Sequence, residues 1–180
     1  MQYIFVAVGC SGCGKSTFGD LLKEKLHDKL EIVCYDDIRK EALGNINDQS
    51  NFSKVKYIAD NMTADALADG KSVYMSSTNL TPKFLTEYSK YGVEIVPIAF
   101  MDSLNPELCT SRVKKQIDSG IERSNTLTSK NGKNIIEIQS ERFMSVYKQI
   151  LSIPNAVQVS ENNFSAISEK CKNMVIGDNY

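Results

Sequence analysis

At 180 residues, 42% of them hydrophobic, the chain is long enough to bury one sizeable core and too short for two comfortable ones. A formal net charge of −1 excludes a global basic field, although a local basic patch fits within so balanced a total. No run approaches the ~20 apolar residues of a membrane span, the start lacks the basic region of a signal peptide, and the five cysteines are scattered, so a reduced, cytoplasmic setting is expected.

Short apolar runs alternate with segments of helical period, the pattern of a mostly parallel sheet covered by helices. Tyr3–Val8 is predicted as a buried first strand, and Lys15–Leu30 as a helix with Phe18, Leu21, Leu22 and Leu26 on one face. Glu31–Tyr35 reads as the second strand, ending in the polar Asp36-Asp37-Ile38-Arg39. Phe52–Ala68 repeats Phe52, Val55, Ala59, Met62 and Ala66 at helical spacing and stops near Gly70. Ser72–Ser76 is the third strand, with Ser77-Thr78-Asn79 at its carboxyl end. Thr81-Pro82 and Asn105-Pro106 each start a helix with proline at the first helical position, and Val93–Phe100 between them is the fourth strand.

The helix from Pro106 ends by Gly120, and the polar stretch Ile121–Lys133 reads as a mobile loop. Ile135–Leu151 is a further helix and Ala156–Val159 a fifth strand. Phe164, Ile167, Cys171 and Met174 then form an apolar helical stripe, read as core rather than as a cofactor box. His27, the only histidine, falls late in the first helix and is expected on its surface. No histidine–cysteine cluster has zinc spacing. The expectation is a single α/β domain over residues 1–180, three layers deep, with a parallel five-stranded sheet flanked by helices.

Gly9-Cys10-Ser11-Gly12-Cys13-Gly14-Lys15-Ser16-Thr17 fits G-x-x-x-x-G-K-[ST] between a strand and a helix, the context a P-loop requires. Gly9, Gly12 and Gly14 permit backbone angles that turn successive amides, those of Ser11 and Cys13 among them, around a phosphate. The helix that follows presents its unpaired amides and positive end to the same anion. Lys15 adds charge near the β- and γ-phosphates of ATP or another NTP, and the Ser16 hydroxyl is placed to ligate the bridging Mg²⁺. Cys10 and Cys13 make a C-x-x-C in this loop. A helix N-terminus lowers a thiol pKa, which raises the idea of oxidation blocking the site; two cysteines at variable loop positions are the plainer reading.

A P-loop alone does not separate kinases from switches. Asp36-Asp37-Ile38-Arg39, expected at the rim of the sheet, supplies a carboxylate able to take the proton of an attacking hydroxyl and an arginine able to clamp an anion. From Arg112 to Lys133 six basic residues (Arg112, Lys114, Lys115, Arg123, Lys130, Lys133) face Asp118 and Glu122, a local positive charge suited to a lid over about 112–134.

Taken together, GCSGCGKST, DDIR and STNLTP resemble, in order and spacing, the polynucleotide 5′-hydroxyl kinase group of P-loop phosphotransferases, most of all the bacteriophage type. The resemblance runs from Met1 to about Tyr91. It implies a P-loop kinase-like fold and transfer of the γ-phosphate of ATP to a 5′-hydroxyl, with Mg²⁺. By position it makes Lys15 and Ser16 the phosphate and metal contacts, Asp36 rather than Asp37 the general base, Arg39 the contact to the acceptor's phosphate, and Thr78 and Asn79 acceptor contacts. Two positions depart from the pattern. Ser77 stands where the family has Asp before Thr-Asn, and Gln116 stands where it has a second lid arginine after Arg112, leaving Lys115 or Arg123 as substitutes.

The partner expected is a nucleoside triphosphate with a nucleic-acid 5′ end or nucleotide-sized acceptor. A small-molecule P-loop kinase is the alternative, which the near-neutral charge favours because long nucleic-acid footprints need many phosphate contacts. An NTPase switch or nucleotide-dependent binding protein stands further off, since a switch needs no acceptor base.

Overall fold

The computed structural model describes residues 1–177. β1 (Tyr3–Val8) is buried along its whole length, as an unbroken apolar strand must be when helices cover both faces of its sheet. It pairs in parallel with β3 (Ser72–Met75) on one side and β4 (Glu94–Phe100) on the other. β2 (Leu30–Val33) joins β3 at one edge, and β7 (Val157–Val159) joins β4 at the other. The five-stranded order is therefore β2-β3-β1-β4-β7, all parallel.

The two-residue period of β1 divides the core. Tyr3, Phe5 and Ala7 face Phe18, Leu22 and Leu26 of α1 (Lys15–Leu26), Val113 of α5 (Pro106–Asp118), and Cys171 and Val175 of α7 (Phe164–Ile176). Ile4, Val6 and Val8 face Val55, Ala59 and Ala66 of α3 (Phe52–Ala68), Phe84 and Tyr88 of α4 (Lys83–Ser89), and Phe143 and Ile150 of α6 (Ile135–Leu151). Each fully buried Phe or Leu among these contributes about 1.5–3 kcal/mol through apolar burial. The result is a three-layer α/β architecture.

From β1 the chain runs out to β2 at the edge, returns to β3 beside β1, and then crosses to β4 on the far side. The carboxyl ends of β1 and β3 thus flank a topological switch point, where open α/β sheets bind ligands. Gly9 N–H donates to Thr78 O at 3.0 Å and Asn79 Nδ2 to Ala7 O at 2.9 Å, tying the two strand ends together.

Several expectations change in detail. The first helix stops at Leu26, where exposed His27 takes a positive φ of 48° and opens a short 3-10 turn before β2. The second strand ends at Val33 rather than Tyr35, and the polar segment after it is helical: α2 (Tyr35–Leu43) begins at once, with Asp36 and Asp37 in its first turn, where carboxylates favour the helix dipole. Pro82 caps α4 rather than occupying its first helical position, whereas Pro106 does start α5, whose Leu108 N–H donates to Asn105 Oδ1 at 3.0 Å. The stretch expected as loop carries a hairpin of β5 (Ser129–Lys130) and β6 (Lys133–Asn134). Its turn residues, Asn131 and Gly132, have φ of 53° and 78°, the positive pair that matches the twist of a two-residue hairpin. Among the described residues no helix is long and apolar enough to cross a membrane.

Candidate active site at the switch point

A cavity of about 980 Å³ opens over the carboxyl ends of β1 and β3, with the glycine-rich loop, the expected phosphate cradle, as its floor. Gly12 and Gly14 hold φ of 80° and 100°. A Cβ on Gly12 would lie 2.4 Å from Cys109 O, and one on Gly14 would lie 2.6 Å from Phe164 Cζ. Conformation and space both demand glycine there. Lys15 Nζ donates to Gly9 O at 3.1 Å and Cys10 O at 2.6 Å, so the loop's own carbonyls hold the lysine at the floor of the cavity. Ser16 and Thr17, opening α1, are exposed on the same wall. Ser11, Gly12 and Gly14 also line it, while Gly9 and Cys13 lie behind.

The outer arc of the loop is held from elsewhere in the fold. Cys10 N–H donates to Ser103 Oγ at 3.0 Å, and Ser11 N–H, expected to face a phosphate, donates instead to Gln139 Oε1 at 2.8 Å. Ser140 Oγ in turn donates to Ser103 O at 2.6 Å. Both cysteines of the C-x-x-C point into the core at 0% exposure. The hydrogen bond to Cys109 and then burial push the Cys10 thiol up to about 11, against the opposing contact with Cys13. Burial first of all raises Cys13 well above the usual thiol range. The lowering that a helix N-terminus can give a thiol is therefore outweighed, at Cys10 by the hydrogen bond to Cys109 together with burial and at Cys13 by burial.

Asp36 and Arg39 face the cavity from α2, and Asp37 is exposed outside it. Arg39 Nη1 donates to Asp36 Oδ1 at 2.7 Å and to Ile46 O at 2.9 Å, while Arg39 Nε is buried with no partner. The Asp36 side chain remains 42% exposed, so its carboxylate is reachable from the cavity. Around it stand Tyr35 and Phe52, their ring centroids 6.0 Å apart, with Lys56, Glu87 and Tyr88. Ser77, Thr78 and Asn79 complete the wall below, and Ser77 Oγ is buried with no partner.

Opposite lies the basic segment. Arg112 sits between Asp102 Oδ2 at 2.9 Å and Glu161 Oε2 at 2.5 Å, with Nη1 3.5 Å from Gly12 O. Two carboxylates thus offset its charge beside the cradle. Lys115, Gln116 and Arg123 line the same cavity, and Gln116 Oε1 and Arg123 Nε are buried without partners. On either side of Arg123 the chain reaches across the mouth: Asn125 N–H donates to Asn47 Oδ1 at 2.6 Å, and Glu122 meets Lys40 of α2 at 2.7 Å. Lys114, Lys130 and Lys133 do not line the cavity, and Lys133 pairs with Glu141.

Three wall residues escape the sequence reading. Phe164, expected in the core, is only half-buried and edges onto Phe18 and Phe100 at 5.5 and 6.1 Å while walling the cavity beside Gly14. Glu161 carries no motif at all. Gln139 reaches the cradle across 128 positions of sequence, which no local pattern reports.

No protein-family model matches the chain. Among curated proteins, 116 residues (64% of the chain) are 28% identical to the Arabidopsis thaliana protein "Transcription factor bHLH140", of which they span 12%. Among solved structures, a chain of the Pnkp1/Rnl/Hen1 RNA repair complex superposes with a TM-score of 0.66 at 19% identity over 82% of this chain and 46% of its own. A putative kinase from Chloroflexus aurantiacus gives 0.61 at 13% identity, covering 96% of this chain and 97% of that one. Shikimate kinase from Acinetobacter baumannii, in complex with shikimate, gives 0.57 at 13% identity over 99% and 95%. Identities this low speak for fold alone, and the fold is that of the P-loop kinases.

Proposed function

We propose that this chain is an ATP- or NTP-dependent phosphotransferase that moves a γ-phosphate to the 5′-hydroxyl of a polynucleotide or nucleotide. The observation that carries the reading is the position of Asp36, which shares one cavity with Lys15 and Ser16 while Asp37 does not. Phosphoryl transfer asks little covalent chemistry of a protein and much positioning. Lys15 and the amides at the start of α1 hold the triphosphate, and Asp36 accepts the proton of the attacking hydroxyl. Arg39 keeps Asp36 oriented and turns its remaining guanidinium N–H groups toward an anionic group of the acceptor. Residues 112–134 serve as the lid, with Arg123 and Lys115 the cavity cations left to offset charge on the moving group.

Mg²⁺ arrives on the nucleotide as part of the substrate. The exposed Ser16 hydroxyl suits it, and among the described residues no cluster of three His, Cys, Asp or Glu side chains competes as a metal site. When bound, the ion offsets phosphate charge.

The polynucleotide assignment is supported by the DDIR and STNLTP resemblance and by the likeness to a chain of an RNA repair complex. A small-molecule kinase is the second reading, favoured by the balanced charge of the acceptor end, where Asp36 pairs with Arg39, and Lys56 with Asp60 at 3.5 Å. Incubation with radiolabelled ATP, Mg²⁺ and a panel of 5′-hydroxyl DNA, RNA and nucleosides tests both. Label on oligonucleotides is the expected outcome; label on nucleosides alone overturns the first reading for the second. ATP hydrolysis with no labelled acceptor would overturn the first reading and favour a nucleotide-dependent switch.

A further inference from the structure

Gln139 lies within α6, on the cavity wall beside Ser11, Lys15 and Ser16. Its contact to Ser11 fixes more than the loop. A backbone N–H can only donate, so the carboxamide atom facing it at 2.8 Å is the oxygen. The amide nitrogen is then turned the other way, and the hydrogen bonds among the described residues give it no acceptor. Arg112 is offset by Asp102 and Glu161, and Gln116 brings a neutral side chain to the α5 wall.

We propose that Gln139 is a phosphate-contacting residue that splints the cradle through the Ser11 amide and offers its own Nε2–H to the terminal phosphate of the bound triphosphate. The proposal rests on the phosphotransferase reading for its catalytic meaning, but its physical content is a preference for a triphosphate over a diphosphate. One carboxamide serves both ends: the bond to Ser11 removes the side chain's rotational freedom before nucleotide binds, so little entropy is lost when Nε2 meets the phosphate. A neutral donor at this point adds no charge to a floor already holding Lys15.

Gln139→Glu separates the two roles. One carboxylate oxygen still accepts from Ser11, while the other presents negative charge where an N–H stood. The measurement is the affinity for ATP and for ADP, each with Mg²⁺, by titration calorimetry, alongside the melting temperature. The expected result is an unchanged melting temperature and a ratio of ATP to ADP affinity lowered about ten- to hundredfold, as for a lost hydrogen bond to a charged group. Gln139→Ala, which removes splint and donor together, should lower the same ratio and also weaken ADP. A ratio unchanged in Gln139→Ala overturns the proposal whatever happens to the absolute affinities, because the carboxylate of Gln139→Glu repels the extra phosphate even if Gln139 donates nothing. Because no acceptor is needed, the test stands even if no oligonucleotide is ever labelled; wild-type transfer with an unchanged ratio would defeat Gln139 alone.

Discussion

Replacing Asp36 by asparagine separates catalysis from folding at the residue on which the proposed function turns. In the folded chain Asp36 Oδ1 accepts from Arg39 Nη1 at 2.7 Å, and asparagine keeps an oxygen at that place. What is lost is the charge. With Asp36 42% exposed, solvent screens the pair, and the stability change should be no more than about 1 kcal/mol. Against a typical domain stability of about 5–15 kcal/mol, that leaves the protein folded. Removing a general base, by contrast, lowers transfer about 10²–10⁴-fold, equivalent to roughly 3–5.5 kcal/mol of barrier. The catalytic effect therefore exceeds the structural one severalfold, and a loss of activity is not to be mistaken for unfolding. The assay is the initial rate of label transfer from ATP to a 5′-hydroxyl oligonucleotide, with ATP affinity and melting temperature measured on the same preparation. ATP affinity should stay near wild type, and Asp37→Asn, altering an exposed carboxylate outside the cavity, should transfer normally. Transfer by Asp36→Asn within about tenfold of wild type would remove Asp36 as base. Equal losses in both variants would point to the charge of the helix terminus instead.

Gly12→Ala should cost about 1–3 kcal/mol in thermal unfolding and lose most nucleotide affinity, because the added Cβ meets Cys109 O at 2.4 Å in a backbone with φ of 80°. Gly44→Ala, at φ of 75° with open space around it, is the control that isolates the conformational part and should leave affinity untouched. Nucleotide affinity should be equal with and without reductant, and Ellman's reagent should find Cys10 and Cys13 unreactive at neutral pH; rapid labelling of either would contradict their burial. Cys10 binds its proton more tightly folded than unfolded, so its contribution to stability is complete below about pH 9 and is lost as pH rises toward about 11, which unfolding midpoints across that window would register. Ser77→Ala should change stability by less than about 0.5 kcal/mol, since the buried hydroxyl already lacks a partner. A sharp fall in transfer without loss of stability would instead place that hydroxyl on the acceptor.

The parts of the fold that could be read from residues are those where one physical demand outweighs the rest. The apolar run of β1 has no alternative to a covered sheet centre, and the left-handed angles at Gly12 and Gly14 have no alternative to glycine. The segment Asp36–Arg39 was harder because carboxylates suit both a turn and the first turn of a helix; Gly44, nine residues after Tyr35, was the overlooked stop signal of α2. Asn131-Gly132 likewise announces a hairpin, but a surrounding stretch of polar residues masked it. The redox idea raised by the C-x-x-C, already the less plain of its two readings, fails for another reason: helix termini lower a thiol pKa only when the thiol stays wet, and exposure depends on tertiary packing. Gln139 and Glu161 meet the P-loop side of the cavity only because α6 and the segment after β7 fold back over it, and no local pattern encodes that return.

The bonds from Gly9 to Thr78 and from Asn79 to Ala7 have a consequence for how this scaffold can diversify. They rivet the cradle and the floor of the acceptor end to adjacent strands of one sheet, whose spacing of about 4.8 Å is a constant of backbone pairing. On the proposed phosphotransferase reading, the working gauge between the two substrates is thereby inherited from the sheet, and substitutions elsewhere can hardly retune it. Tyr35, Phe52, Lys56 and Glu87 ride instead on helices outside that riveted frame. A lineage built on this plan is free to exchange acceptors by altering α2, α3 and α4, with its donor end kept in calibration throughout.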